Sequence, residues 1–271
     1  MRPLSLAALT VLELSPAQAV RCAAEAGYTH VGLRLVPATP TEPQWDAVGD
    51  TPPVREAAAA LRDTGVQVLD IEILRLKPDT VVADFRPVLE TGARLGAKHV
   101  LVAGNDPDEA RLVERLAELA DLCAPLGLAP AVEPMPWTDV RDLAQGLRVV
   151  EGARRTDVGL LVDPIHFDRA GDTPEALRAV DPARLPYLQF CDAPAQRPDT
   201  LDELLRQARA ERQLPGEGGL DLAALLRAVP RTRALSLEMP LQSRGAGLDA
   251  YGRAALVHRT TSAWLRAHAL D

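Results

Sequence analysis

The chain has 271 residues, 47% of them hydrophobic and only 3% aromatic, and a formal net charge of −8. That length suits one large core and matches the roughly 250 residues of a (β/α)8 barrel, with Leu, Val and Ala left to fill it. The acidic balance argues against a protein that relies on phosphate-backbone contacts, which calls for a basic face, and no apolar run approaches the ~18 residues of a membrane span.

Short apolar runs alternate with helical patterns along the whole length, as βα units on a parallel sheet require. The first run covers 4–11. Ser15 is placed to cap a helix that starts at Pro16 and continues to Gly27. A strand at 28–35 is followed by a helix at 52–65, with Pro near its start and Gly65 at its end. Next come a strand at 66–74, a helix at 84–96, a strand at 98–104 and a helix at 108–127. A strand at 128–134 precedes a helix at 138–153, and a strand at 158–164 precedes a shorter helix at 173–180. A strand at 186–192 leads to a helix at 220–229, and a strand at 234–240 to a closing helix at 250–269. Eight such units predict an α/β protein, a single closed (β/α)8 TIM barrel forming one domain over 1–271. The alternative, an open doubly wound sheet, usually carries a glycine-rich phosphate loop after its first strand; here that place holds TVLELSP.

Cys22, Cys123 and Cys191 are scattered, odd in number and not in metal-ligand spacing, as expected of a reduced cytoplasmic protein. The apolar N-terminal stretch is interrupted by Glu13 and Pro16, so no cleaved signal peptide is expected.

In a TIM barrel the active site lies at the C-terminal ends of the strands, and residues two apart on a strand share a face. Ala131 and Glu133 share one face, as do Gly159, Leu161 and Asp163, then Tyr187 and Gln189, then Ser236 and Glu238. The opposite faces carry Val132, Leu160, Val162, Leu188, Phe190, Leu235 and Leu237, which suit packing on outer helices. Strands five to eight therefore each end in one inward oxygen donor: Glu133, Asp163, Gln189 and Glu238. Three carboxylates in a narrow barrel repel each other, and a divalent cation relieves that repulsion. Oxygen-rich sites favour Mg²⁺ or Mn²⁺ over soft thiolate metals.

These residues resemble the xylose-isomerase-like sugar isomerase/epimerase superfamily, whose barrels bind a metal through Glu, Asp, His and Glu on strands five to eight. The resemblance covers nearly the full chain and rests on VEP at 132–134, VDPIH at 162–166, QFCDAP at 189–194, PGEG at 215–218 and LEMP at 237–240. One departure is Gln189 in place of the usual His. Hydroxypyruvate-isomerase-like members carry Gln in a similar Gln-x-x-Asp-x-Pro context, and its carbonyl oxygen is still a donor. The resemblance implies Glu133, Asp163, Gln189 and Glu238 as metal ligands, with Glu133 and Glu238 as the catalytic pair. It also implies that His166 contacts substrate.

Further candidates for substrate binding are Glu72, Asn105, Arg197 and Glu217, each with a plainer alternative. Glu72 lines the pocket or pairs with an arginine such as Arg75. Asn105 contacts a hydroxyl or shapes its turn. Arg197 holds a carboxylate or phosphate, or is solvated. Glu217 overhangs the site mouth or belongs to a glycine-rich turn. His30, His99, His258 and His268 fall away from the catalytic face.

The expected activity is isomerisation or epimerisation of a small hydroxy-carbonyl compound or keto sugar, by proton transfer through an enediolate, with Mn²⁺ or Mg²⁺ as cofactor. Three rivals stand beside it: a dehydratase acting on a keto-cyclitol or dehydroshikimate-like substrate, a metal-dependent abasic-site endonuclease, and a non-catalytic ligand-binding barrel. The endonuclease calls for more histidines than the five present. The expected partner is a small molecule, with neither nucleic acid nor membrane; the reading leaves room for a homo-oligomer.

Overall fold

The computed structural model describes residues 2–271. Eight parallel strands are β1 (Leu4–Leu6), β2 (His30–Arg34), β3 (Gln67–Leu76), β4 (His99–Gly104), β5 (Ala129–Val132), β6 (Gly159–Leu160), β7 (Tyr187–Phe190) and β8 (Ala234–Leu237). Their order in the sheet is β6-β5-β4-β3-β2-β1-β8-β7. The ends of that order meet through a parallel bridge between Val162 and Leu188, so the sheet closes into a single (β/α)8 TIM barrel.

Among the described residues nine α-helices lie between the strands, α1 (Pro16–Glu25), α2 (Pro52–Thr64), α3 (Arg86–Arg94), α4 (Glu109–Cys123), α5 (Leu143–Gly152), α6 (Pro164–Ala170), α7 (Pro174–Arg178), α8 (Leu201–Arg209) and α9 (Leu222–Arg227), and α10 (Ala250–Ala267) follows β8. Local chemistry sets their ends. Ser15 and Gln18 form a reciprocal capping box at the start of α1, which satisfies two of the amides a helix start leaves free. Gly65, in the left-handed region at φ 74°, ends α2 where a Cβ would be strained. Among the described residues no helix is long and apolar enough to cross a membrane.

The alternation of strand faces divides the core in two. Val132, Leu160, Val162, Leu188, Phe190, Leu235 and Leu237 pack outward against the helices. Leu69, Leu101, Ala131, Leu161, Tyr187 and Ala234 pack together inside the barrel.

Four local expectations are corrected. The first run is strand only over Leu4–Leu6 and turns into a 3-10 helix at Ala8–Val11. The fifth helix begins at Leu143, not 138, because Asp142 accepts from the Gln145 amide and caps it there. The sixth strand, expected over 158–164, is regular only at Gly159–Leu160, and Pro164–Ala170 is a helix with Asp163 as its N-cap and Pro164 in the first turn. Leu201–Arg209 is a further helix, capped by Thr200 and braced by the Glu203–Arg206 ion pair.

Candidate active site

The backbone fixes the predicted donors before their side chains are considered. Just past the regular strands, the Glu133 amide donates to Val102 O at 2.9 Å and the Glu238 amide to Phe190 O at 3.2 Å. Within β7, the Gln189 amide donates to Val162 O at 3.1 Å. Asp163 is held by its own cap, Oδ1 accepting from the Ile165 amide at 2.9 Å. All four side chains are buried, as is His166.

They converge. Glu133, Asp163 and His166 each offer an atom within 4.8 Å of the others, with His166 Nε2 3.7 Å from Glu133 Oε1 and 3.8 Å from Asp163 Oδ2. Glu133, His166, Gln189 and Glu238 line one cavity of about 290 Å³, near the lower end of the ~300–1,000 Å³ common for ligand sites. Trp137 forms part of its wall and meets the His166 ring edge-on, with centroids 4.7 Å apart.

The residue that organises the carboxylates was not among the sequence candidates. Arg212 is 3% exposed. Its Nη1 donates to Asp163 Oδ2 at 2.5 Å, its Nη2 lies 2.6 Å from Glu238 Oε2, and its Nε donates to Ala208 O at 2.7 Å. The carboxylate repulsion assigned to a divalent cation is therefore relieved in part by a guanidinium. Arg212 reaches the site because Asp192 ties down the segment after it. Asp192 Oδ2 accepts from the Gly216 and Gly218 amides, and Oδ1 from the Leu220 and Ala193 amides. A backbone ladder between Asp192 and Gln213 completes the clasp. A Cβ on Gly218 would lie 2.2 Å from Asp192 Oδ1, so this loop requires glycine there. The QFCDAP and PGEG motifs are thus two halves of one device that presents Arg212.

Burial and like charge act together on the acids. Glu133 is pushed well above the usual carboxylate range, first by burial and then by Asp163 and Glu238. Burial raises Glu238 to about 7 against the opposing pull of Arg212. Asp163 is lowered, because Arg212 and His166 outweigh its burial. Burial depresses His166 to about 4, so it is a neutral imidazole at pH 7.

The remaining candidates divide. Glu72 lines the cavity and also pairs, with Arg34 at 2.8 Å rather than with Arg75. β3 continues four residues beyond it, so Glu72 lies within the strand and not at its end. Asn105 lies outside the cavity wall and accepts from Arg75 Nη1 at 3.0 Å. Arg197 is corrected to a surface residue: its side chain is 55% exposed and paired with Asp168. Glu217 likewise sits outside the cavity, paired with Arg244 at 2.8 Å. His30, His99, His258 and His268 do not line the cavity.

The sequence model of the xylose isomerase-like TIM barrel matches residues 20–268. The chain belongs to the xylose isomerase-like TIM barrel family. An inosose isomerase of Bacillus licheniformis is 31% identical over 157 residues, 54% of each chain. A 3-dehydroshikimate dehydratase of Pseudomonas aeruginosa is 30% identical over 138 residues, 49% of this chain and 21% of that one. The chain spans about half the length of the inosose isomerases it matches. Among solved structures, IOLI protein with a binding zinc atom superposes with a TM-score of 0.83 at 22% identity, covering 99% of both chains; at that identity the likeness is one of fold.

The donor set of this family member fits a divalent cation on its own evidence. Glu133 Oε1 and Gln189 Oε1 are buried oxygens without a hydrogen-bond partner, a costly state unless something else satisfies them. Arg212 is the one guanidinium held between Asp163 and Glu238, so the cluster lacks positive charge whenever Glu133, Asp163 and Glu238 are all ionised.

Proposed function

We propose that this chain is a metal-dependent isomerase or epimerase of a small hydroxy-carbonyl compound or keto sugar. The observation that carries the reading is the pair Glu133 and Glu238, buried at the ends of β5 and β8 and facing one cavity beside unsatisfied oxygens. Glu133, Asp163, Gln189 and Glu238 would hold the cation, with His166 as a neighbouring nitrogen donor. The four oxygen donors favour Mn²⁺ or Mg²⁺, and the His166 nitrogen beside them would also suit Zn²⁺. When bound, such a cation polarises a substrate carbonyl as a Lewis acid.

The chain's own groups do the proton work. Burial and like charge push both carboxyls up, and a cation beside them would draw both back toward the carboxylate form that abstracts a proton. One removes the proton alpha to the carbonyl; the other delivers a proton to the neighbouring atom or the opposite face. Arg212, by holding Asp163 and Glu238, fixes where the second carboxylate stands. Trp137 and Met135 on the cavity wall exclude water from the reacting carbon.

The likeness to inosose isomerases supports a keto-cyclitol among the substrates. The likeness to 3-dehydroshikimate dehydratases supports a second reading, elimination of water after the same proton abstraction. A panel of keto sugars, keto-cyclitols and hydroxy-keto acids, with Mn²⁺, Mg²⁺ or Zn²⁺ added and proton NMR in D₂O, tests both. Metal-dependent deuterium uptake beside the carbonyl with an isomeric product supports the first reading, and an unsaturated product the second. Conversion undiminished in protein exhaustively stripped of metal overturns the metal-dependent proposal.

A further inference from the structure

Four arginines line the cavity: Arg34, Arg75, Arg209 and Arg212. Two are fully engaged. Arg34 pairs with Glu42 and Glu72 at 3.0 and 2.8 Å, and Arg212 with Asp163 and Glu238. The other two are not. Among the described residues, neither Arg75 nor Arg209 has a carboxylate oxygen within 4.0 Å. Arg75, half-buried near the end of β3, has only the neutral Asn105 amide oxygen at 3.0 Å on Nη1. Arg209, the exposed last residue of α8, lies with Cζ 5.8 Å from the Trp137 ring centroid.

Burial holds the Arg75 guanidinium below its ordinary range, and the positive charges of Arg209 and Arg34 lower it further against the weaker opposing pull of Glu133 and Glu42. Elsewhere on this acidic chain arginines find carboxylates readily, as Arg111, Arg148, Arg155 and Arg206 do. Two that share a cavity and find none leave guanidinium groups there without a carboxylate partner. Guanidinium groups present planar forks of donors that match carboxylate or phosphate oxygens two at a time.

We propose that the substrate carries an anionic group, a carboxylate or a phosphate, which Arg75 and Arg209 bind at the cavity mouth while its hydroxy-carbonyl portion faces Glu133 and Glu238. Only the orientation of the hydroxy-carbonyl portion rests on the proton-transfer reading above; the anion site does not. Asn105, expected to touch a hydroxyl, instead orients the Arg75 fork. The anion contact considered for Arg197 falls to residues that the barrel brings into the cavity.

The test uses three probes of one carbon skeleton, glycerate, glycerol phosphate and neutral glycerol. Each is titrated by ligand-detected NMR into the full chain, with EDTA and again with Mg²⁺. In EDTA at least one anion should bind and glycerol should not, and affinity should fall as salt rises. Preference for glycerate or for glycerol phosphate distinguishes the carboxylate from the phosphate. Arg75→Gln and Arg209→Gln should each weaken the preferred anion by about tenfold or more, the cost of one charge-assisted hydrogen bond. Arg209 is exposed at a helix end, so its variant keeps a folded test available if the Arg75 variant misfolds, and circular dichroism checks both. Glycerol binding as well as either anion, no anion binding in EDTA, or both folded variants keeping wild-type affinity overturns the proposal. Anion binding that depends on both arginines, with no deuterium exchange on any substrate, would instead leave this site standing and remove the isomerase reading.

Discussion

Arg212→Met removes a buried charge while keeping most of the side chain's volume. In the wild type one guanidinium faces both Asp163 and Glu238, and all three side chains are at most 5% exposed. Breaking a buried ion pair by deleting one partner costs about 3–5 kcal/mol, because the remaining charge is left uncompensated. For a protein of this size 1 kcal/mol moves Tm by about 2–4 °C, so the metal-free variant should melt roughly 6–20 °C below the metal-free wild type. A divalent cation at a hundredfold excess over its Kd should return about 2.7 kcal/mol to the variant. The gap should also narrow in acid. Glu238 already holds its proton below about 7, and a neutral carboxyl no longer needs the guanidinium. Thermal melts by circular dichroism at pH 5 and pH 7.5, with EDTA and with Mn²⁺, contain the whole test. A variant that melts within about 2 °C of wild type at pH 7.5 would show that Arg212 is not the compensating charge. A gap equal at both pH values would point to lost packing instead.

Glu133→Gln and Glu238→Gln should each lower turnover by at least the roughly 10²-fold typical of a lost general base; wild-type rates in both would dissolve the catalytic pair. Gln189→Leu removes an oxygen with no partner of its own, so it should weaken metal binding in calorimetry while leaving the far-ultraviolet spectrum unchanged. Unaltered metal affinity in the folded variant would reassign Gln189 to substrate contact. Gly218→Ala forces a Cβ against Asp192 and the Ala193 carbonyl oxygen, and should loosen the 213–220 segment, seen as faster hydrogen exchange there than in β7; unchanged exchange would argue against the clasp. Burial lowers His99 to about 4 from an ordinary 6.5. The unfolded chain therefore takes up that proton first, and stability attributable to neutral His99 is lost as pH falls from about 6.5 to about 4. His99→Gln should flatten denaturant-derived stability across that window by up to about 3 kcal/mol; an unchanged slope would mean that the ring is hydrated.

Periodicity made the inward face readable because a strand repeats every two residues. Ala131 with Glu133 and Ser236 with Glu238 could be assigned to one side from the sequence, and the barrel does turn Glu133 and Glu238 to one cavity. Strands five to eight, neighbours around the barrel, then brought four donors together without any loop having to be known. Arg212 obeys no such rule. It lies in a connecting segment whose path is set by four amides converging on Asp192, a tertiary contact that no local pattern encodes. In a chain so rich in arginine its residue type gave no signal either. Pro164–Ala170 was missed because the run at 158–164 was taken as strand to its end, although an Asp followed by Pro is also the opening of a helix. Arg197 and Glu217 sit on connections and are held by Asp168 and Arg244, partners visible only in three dimensions.

The two-residue β6 and the lone Val162–Leu188 bridge make one side of the barrel a seam. Glu133 and Asp163 stand on one bank of that seam, Gln189 and Glu238 on the other. Any body touching both pairs therefore acts as a rivet, and the free energy of its binding goes partly into shutting the cylinder. Arg212, reaching Asp163 with one nitrogen and Glu238 with the other, is a rivet the chain supplies for itself. A ligand that touched Glu133 and Glu238 together in the cavity would likewise span both banks.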